Sequence, residues 1–177
     1  MGRYIYKDIV FTGSAGLSGA LSLAAQDPEM VKKRFPAHMI GSYGLLENRG
    51  LDDRSLKEAI CRHCAGDGYT VVCAENTGVT EALWTLGEEL CSGLRVYAER
   101  IPVSQVTVEI CELFGTDPFR CESKGCFLIA SENGNELCEK LKEEGEAAVV
   151  IGHDSESKGR VMVFGEITRY LDKPRHV

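Results

Sequence analysis

No stretch of these 177 residues is apolar for long enough to span a bilayer, and no basic-then-apolar leader precedes a small-residue cleavage site. Both absences point to a soluble, cytoplasmic chain without a membrane partner. Clustered cations are lacking as well: Lys and Arg never exceed three in a row (Lys32, Lys33, Arg34), and the formal net charge is −7. A polyanion is held by a basic stripe that displaces its counterions, so nucleic acid is excluded as a partner. No lysine stands between Lys7 and Lys32, so the chain's most glycine-rich turn lacks the Gly-Lys-Ser/Thr end of a P-loop. Neither a G-x-S-x-G elbow nor an H-E-x-x-H pair occurs, and no paired carboxylates stand out. Internal repeats and low-complexity segments are missing too.

What is present is a chain able to bury a core unaided, with 44% hydrophobic residues and a length that fits one domain over 1–177. Its eight cysteines sit mostly inside apolar runs such as "TVVCA", "VEICELF", "GCFLIA" and "NELCEKL". There a reduced thiol acts as a small buried hydrophobe, in keeping with a reducing compartment.

Strands are predicted at 5–11, 69–74, 94–99, 126–131, 147–152 and 160–164, the last turning back through Gly165-Glu166 as a type II′ hairpin. Between them run amphipathic helices. One begins near Leu17, and one carries Leu56, Ala59, Ile60 and Cys64. Another carries Val79, Ala82, Leu83, Leu86 and Leu90, and a fourth buries Val106, Ile110 and Phe114. The last opens with an Asn133/Glu136 capping box and is supported by a Glu136–Lys140 pair. A turn or two of helix follows Asp27-Pro28. Residues 36–50 read as an irregular connecting loop with room for a short helix, and 172–177 as a loose tail. Short strands ending in a hairpin favour an α+β domain of α/β/α layers around a mixed or antiparallel sheet.

Four places invite chemistry. "GSAGLSGA" follows a strand and spaces Gly13, Gly16 and Gly19 three apart, leaving two readings: a backbone anion cradle or close helix-on-sheet packing. Close packing is the better one, since a dinucleotide fingerprint needs a first spacing of two. "CRHC" places Cys61 and Cys64 three apart with Cys73 behind, a weak alternative for zinc or redox work because the pair lies inside a helix and Cys64 belongs to its apolar stripe. "CAENTGVT" sets Glu75, Asn76 and Thr77 between a strand end and a helix start, suited equally to anion binding and to helix capping. His153-Asp154 reads as a solvated loop pair. His38, His63 and His176 have no telling partner.

The order of "DIVFTGSAGLSGALSLA", "AENTGVTEALWTLGEELCSGLRVYAERIPV", "TVEICELFGTDPFRCESKGCFLIAS" and "AAVVIGH" resembles the C-terminal domain of the AIR synthase superfamily, most of all its HypE-like and AIR synthase-related members. The likeness runs along nearly the whole chain. It implies a PurM C-terminal-domain-like fold with partial ferredoxin-like topology, facing a cleft whose other wall is an ATP-binding N-terminal domain with acidic metal ligands. That domain is not among these residues. The resemblance therefore implies a binding or assembly module, as a homodimer or with a separately encoded ATP-binding domain, not catalytic alone. The alternative is half of a split ATP-dependent enzyme of the AIR synthase/HypE type, linked to hydrogenase maturation. ATP and magnesium enter only with such a partner, and this chain alone calls for no cofactor. The cleft candidates are Gly13, Ser14, Gly16, Ser18, Gly19, Glu75, Asn76, Thr77, Gly78, Ser123, Lys124 and Gly125. Departures from the family pattern lie in the same place. Cys73 stands where the pattern has Asp, Thr77 replaces its first glycine while Gly78 is kept, and Leu17-Ser18 replaces an Asp-His pair.

Overall fold

The structure is a computed structural model, which describes residues 5–45, 53–66 and 68–174. Strands β1 (Asp8–Thr12), β2 (Thr70–Cys73), β3 (Gly93–Tyr97), β4 (Phe127–Ser131), β5 (Ala148–Ser155), β6 (Arg160–Phe164) and β7 (Ile167–Tyr170) form one seven-stranded sheet in the order β2-β4-β1-β5-β3-β6-β7. Every neighbouring pair is antiparallel except β3 with β6, so the sheet is mixed. β4 is buried along its whole length, as befits a strand covered on both faces, whereas the edge strand β7 is exposed throughout.

Seven α-helices surround it among the described residues: α1 (Leu17–Gln26), α2 (Pro28–Arg34), α3 (Ala37–Tyr43), α4 (Arg54–His63), α5 (Gly78–Glu89), α6 (Gln105–Leu113) and α7 (Gly134–Glu143). The apolar stripe of α5 (Val79, Ala82, Leu83, Leu86) packs on the face presenting Ile9, Phe11, Leu128, Val96 and Ile151. Helices α4 and α7 cover Val10, Phe127 and Ile129 on the opposite face, through Leu56, Ala59, Ile60, Leu137 and Leu141. The α/β/α layering is present. A third core, absent from the sequence reading, joins α1, α2, α3 and α6 through Ala20, Ala24, Val31, Phe35 and Ile110.

Several boundaries differ from expectation. The first strand starts at Asp8, not at residue 5. Residues 37–43 are helix α3, the short helix for which the loop reading left room: Pro36 at the N-cap fixes φ at −62°, and Gly44 ends the helix in the left-handed region at φ +59°. Residues 46–50 of that segment, and 175–177 of the tail, lie outside the described residues. Strand β5 continues through His153 and Asp154, because β1 and β3 both pair with it there. Asp154 is 4% exposed and accepts the Lys7 backbone N–H at 2.8 Å, so the pair is no solvated loop. The Asn133/Glu136 contact is side chain to side chain (3.1 Å); the first α7 amide, that of Gly134, donates instead to Asp8 Oδ2.

Candidate functional site

The glycine-rich turn after β1 sets Gly13 at φ +81° and Gly16 at φ +71°, a conformation only glycine adopts without strain. What faces it is the protein's own chain. A methyl group on Gly13 would lie 2.9 Å from Cys126 Sγ, on Gly16 2.4 Å from the Pro118 carbonyl oxygen, and on Gly19 2.8 Å from Cys121 Cβ. On Gly78, at the start of α5, it would lie 2.9 Å from the Arg120–Cys121 backbone. Four glycines from two turns thus press on one segment, Pro118 to Cys126, which opens with a 3-10 turn at Pro118–Arg120 capped by Asp117. Of the two readings of these glycines, close packing holds.

Three of the backbone donors that an anion cradle would offer are occupied. Gly16 N–H donates to the buried Ser123 hydroxyl at 2.9 Å, Gly19 N–H to the Glu122 carbonyl at 3.0 Å, and Ala15 N–H to the Pro102 carbonyl at 2.9 Å. The side chains continue the seam. Ser18 donates to the Glu122 carbonyl (2.8 Å) and accepts the Lys124 N–H (2.9 Å), Ser123 N–H donates to the Glu75 carbonyl (3.2 Å), and Ser14 Oγ accepts the Ser104 N–H (3.2 Å). An anion would have to displace these internal bonds, each replaced at a cost.

The candidates Gly13, Ser14, Gly16, Ser18, Gly19, Glu75, Gly78, Ser123, Lys124 and Gly125 are therefore brought together at one end of the sheet. Asn76 and Thr77 stand exposed in the adjoining turn. Thr77 is the N-cap of α5 yet makes no side-chain cap bond, so the capping role is not realised there. Below them, Cys73 is exposed, with its Sγ 4.0 Å from Glu75 Oε2, and Lys57 pairs with Asp53 at 2.7 Å. Desolvation raises the Cys73 pKa, with the Glu75 carboxylate adding to the shift and a hydrogen bond to the Glu75 backbone opposing it. Such a thiol stays protonated near neutrality, unlike a reactive one.

The cysteines divide more evenly than the apolar runs imply. All eight are free; Cys111, Cys121 and Cys126 are buried, Cys64 and Cys138 are half-buried, and Cys61, Cys73 and Cys91 are exposed. Cys73 lies on an edge strand with one neighbour, which is why its apolar run does not bury it. Burial pushes the Cys126 thiol up to about 12 and Cys64 up to about 11. Cys61 lies in the last turn of α4 and Cys64 is its C-cap. Among the described residues no group of three or more His, Cys, Asp or Glu is placed to hold a metal ion.

Sequence reasoning missed two features. Cys111 and Cys121 approach to 3.7 Å between sulfurs across ten residues, a packing contact with no local signal. A cleft of about 650 Å³ also opens between α5, the 3-10 turn and the β6–β7 hairpin, lined by residues such as Thr80, Arg120, Phe164 and Arg169. It arises from β6 lying beside β3, a non-local pairing that periodicity does not encode. Among the described residues, no helix is long and apolar enough to cross a membrane.

No protein-family model matches the chain. A protein of Methanocaldococcus jannaschii named for hydrogenase expression/formation is 28% identical over 102 residues, 55% of this chain and 30% of its own length. Among solved structures, Escherichia coli HypE, a hydrogenase maturation protein, superposes with a TM-score of 0.73 at 21% identity, over 96% of this chain and 50% of its own. HypE in a HypE–HypF complex gives 0.71 at 18%, over 98% and 54%. HypE in complex with ATP gives 0.71 at 18%, over 99% and 52%. The chain spans about half the length of these HypE chains and less of the curated relative. Its fold is the mixed α/β fold of the AIR synthase/HypE type.

Proposed function

We propose that these 177 residues form one domain equivalent to the C-terminal half of a HypE-type protein. It serves as a binding and assembly module in hydrogenase-maturation chemistry and does not catalyse by itself. The observation that carries this reading is the packed turn: its glycines lie against the Pro118–Cys126 segment, and the Ala15, Gly16 and Gly19 amides are spent on Pro102, Ser123 and Glu122. The turn is thus in large part a packed wall, and it carries no lysine to hold a phosphate. In this reading ATP and magnesium are bound chiefly by a separate ATP-binding domain, and this chain supplies the facing surface. Assembly of two copies is the simpler oligomer of the same reading. The eight free thiols suit a reducing compartment such as the cytoplasm.

Titration calorimetry of the purified chain with magnesium and ATP tests it. The expected result is no heat of binding and no turnover. Magnesium-dependent ATP hydrolysis by the chain alone overturns the reading.

A second reading, half of a split ATP-dependent enzyme, is favoured by the rim of the same end. There Lys124, Asn76 and Thr77 are exposed, and Thr77 is uncommitted to its helix. It predicts turnover only after a second chain is added, with loss in Lys124→Ala.

A further inference from the structure

Among the described residues, one half of the sheet has a face that no helix covers. Cross-strand partners share a face, and the registers Asp8↔His153, Arg95↔His153, Arg95↔Val161 and Val161↔Tyr170 place Asp8, His153, Arg95, Val161 and Tyr170 in one row over five strands. Tyr97, Val163 and Thr168 form the next row on the same side, with Val163 buried (5% exposed) between half-buried Tyr97 and exposed Thr168. This is the side that α4 and α7 cover over β4, β1 and the start of β5, but their core takes no residue from β3, β6 or β7. No residue of the Asp8–Tyr170 row is buried. The alternate row of the same strands, Ile9, Gly152, Val96 and Met162, is buried against the α5 side.

A face left to water is ordinarily polar. This one is aromatic and cationic. The Arg100 and Arg95 guanidinium carbons sit 4.5 and 5.8 Å from the Tyr97 ring centre, and Tyr6 meets His153 edge to face at 6.1 Å. Tyr6 is 56% exposed and Tyr170 78%. Among the described residues, neither Arg95 nor Arg100 has a carboxylate partner, in a chain whose net charge is −7. Tyr and Arg are the residue types that concentrate binding energy at protein interfaces.

We propose that this bare half-face, centred on Tyr97, Arg95 and Arg100, docks a second protein that presents carboxylates to the two arginines. A second copy of this chain fits poorly, because a two-fold stack would set arginine against arginine. Nucleic acid fits poorly, because two guanidiniums do not offset the repulsion of an acidic chain. From the proposed function this takes only that the chain works with another protein.

In-cell photocrosslinking tests it, with benzoylphenylalanine placed in the full chain at Tyr97, at Val108 on α6, or at Lys124 beside the glycine-rich turn. The expected result is a protein adduct at position 97 whose crosslinked peptide contains Asp or Glu. The adduct falls at least tenfold with Arg95→Glu/Arg100→Glu, persists with Arg95→Lys/Arg100→Lys, and returns when that partner carboxylate is changed to Lys. Circular dichroism establishes that each variant is folded. An adduct at 97 that ignores charge reversal, that is equally strong at 108, or that is RNA or a second copy overturns the inference. So does no adduct at 97. Adducts confined to 124 or 108 sink this inference and leave the proposed function standing. No adduct at any position sinks both, and an acidic partner without ATP-binding activity sinks the proposed function alone.

Discussion

The glycine-rich end of the sheet and the bare half-face at β5-β3-β6-β7 are opposites in how they use polar groups. At the glycine-rich end, the Ala15, Gly16 and Gly19 amides meet acceptors within the chain, and the Ser18 and Ser123 hydroxyls each accept one bond and donate another. On the bare half-face the arginines rest on a tyrosine ring without a carboxylate. Glycine-rich sequence leaves the first region open to an anion cradle or to close packing, the better reading, and its glycines are consumed by contact with the Pro118–Cys126 segment. Nothing in the sequence marks the second, yet its chemistry is unfinished. A loop rich in glycine can be closed packing, and a strand that looks ordinary can be an open surface.

The sharpest way to break this contrast is Gly16→Ala. The residue is held at φ +71°, and its new methyl would sit 2.4 Å from the Pro118 carbonyl oxygen. Left-handed strain and overpacking together should cost about 3 kcal/mol, a fall of roughly 10 °C in Tm for a chain of this size. Gly115→Ala is the matched control, with φ +65° and no atom within 4 Å of the added carbon, so it should cost only about 1 kcal/mol. Equal losses in thermal melts would mean that the packing on Pro118 contributes nothing. Ser123→Ala comes next: it leaves the Gly16 N–H buried without its acceptor, at about 1–3 kcal/mol. A Tm unchanged from wild type would show that water replaces the hydroxyl and that the seam is not closed.

How far the sequence carried these conclusions depends on the range of the contacts. Period placed α5, α6 and β4 well, because Val79–Leu86, the Val106–Ile110 spacing and the "FLIAS" run are signals within one element. Helix α3 was obscured by its glycines: Gly41 has open space around it and Gly44 is a terminator, but both read as loop. The grouping of cleft candidates came from a resemblance and not from spacing, since Gly16 and Ser123 are 107 residues apart. The bare half-face depends on register across β5, β3, β6 and β7, including the one parallel pair. A single sequence carries no record of register between distant strands.

On the open side the expected effect on stability is small. Tyr97→Ser and Arg95→Glu alter a half-exposed surface without ion pairs among the described residues, so each should move stability by about 0.5 kcal/mol or less, even though the Arg95→Glu/Arg100→Glu double variant loses partner capture at least tenfold. A loss comparable to that of Ser123→Ala would show that the arginine–tyrosine cluster is part of the core, and the contrast between the regions would fade.

The smallest effect should come from the seam between the two helices of the covered half, where Glu144 fastens α7 to α4 through Arg62 and through His63 at 2.5 Å. The hydrogen bond from Arg62, then that from His63, holds the Glu144 carboxyl below its ordinary value of 4.5. A depressed carboxylate stabilises the fold above the unfolded-state value, and that contribution is lost as pH falls through the folded-state value. Glu144→Gln should therefore lower Tm slightly at neutral pH. The gap from wild type should close as pH drops below 4.5, and it should shrink in high salt because the pair is near the surface. A gap that stays constant into acid would mean that Glu144 acts through packing and not through charge. The helices would then cover their half of the sheet by apolar contact alone, through Leu56, Ile60, Leu137 and Leu141, and the contrast with the bare half would be one of apolar packing only.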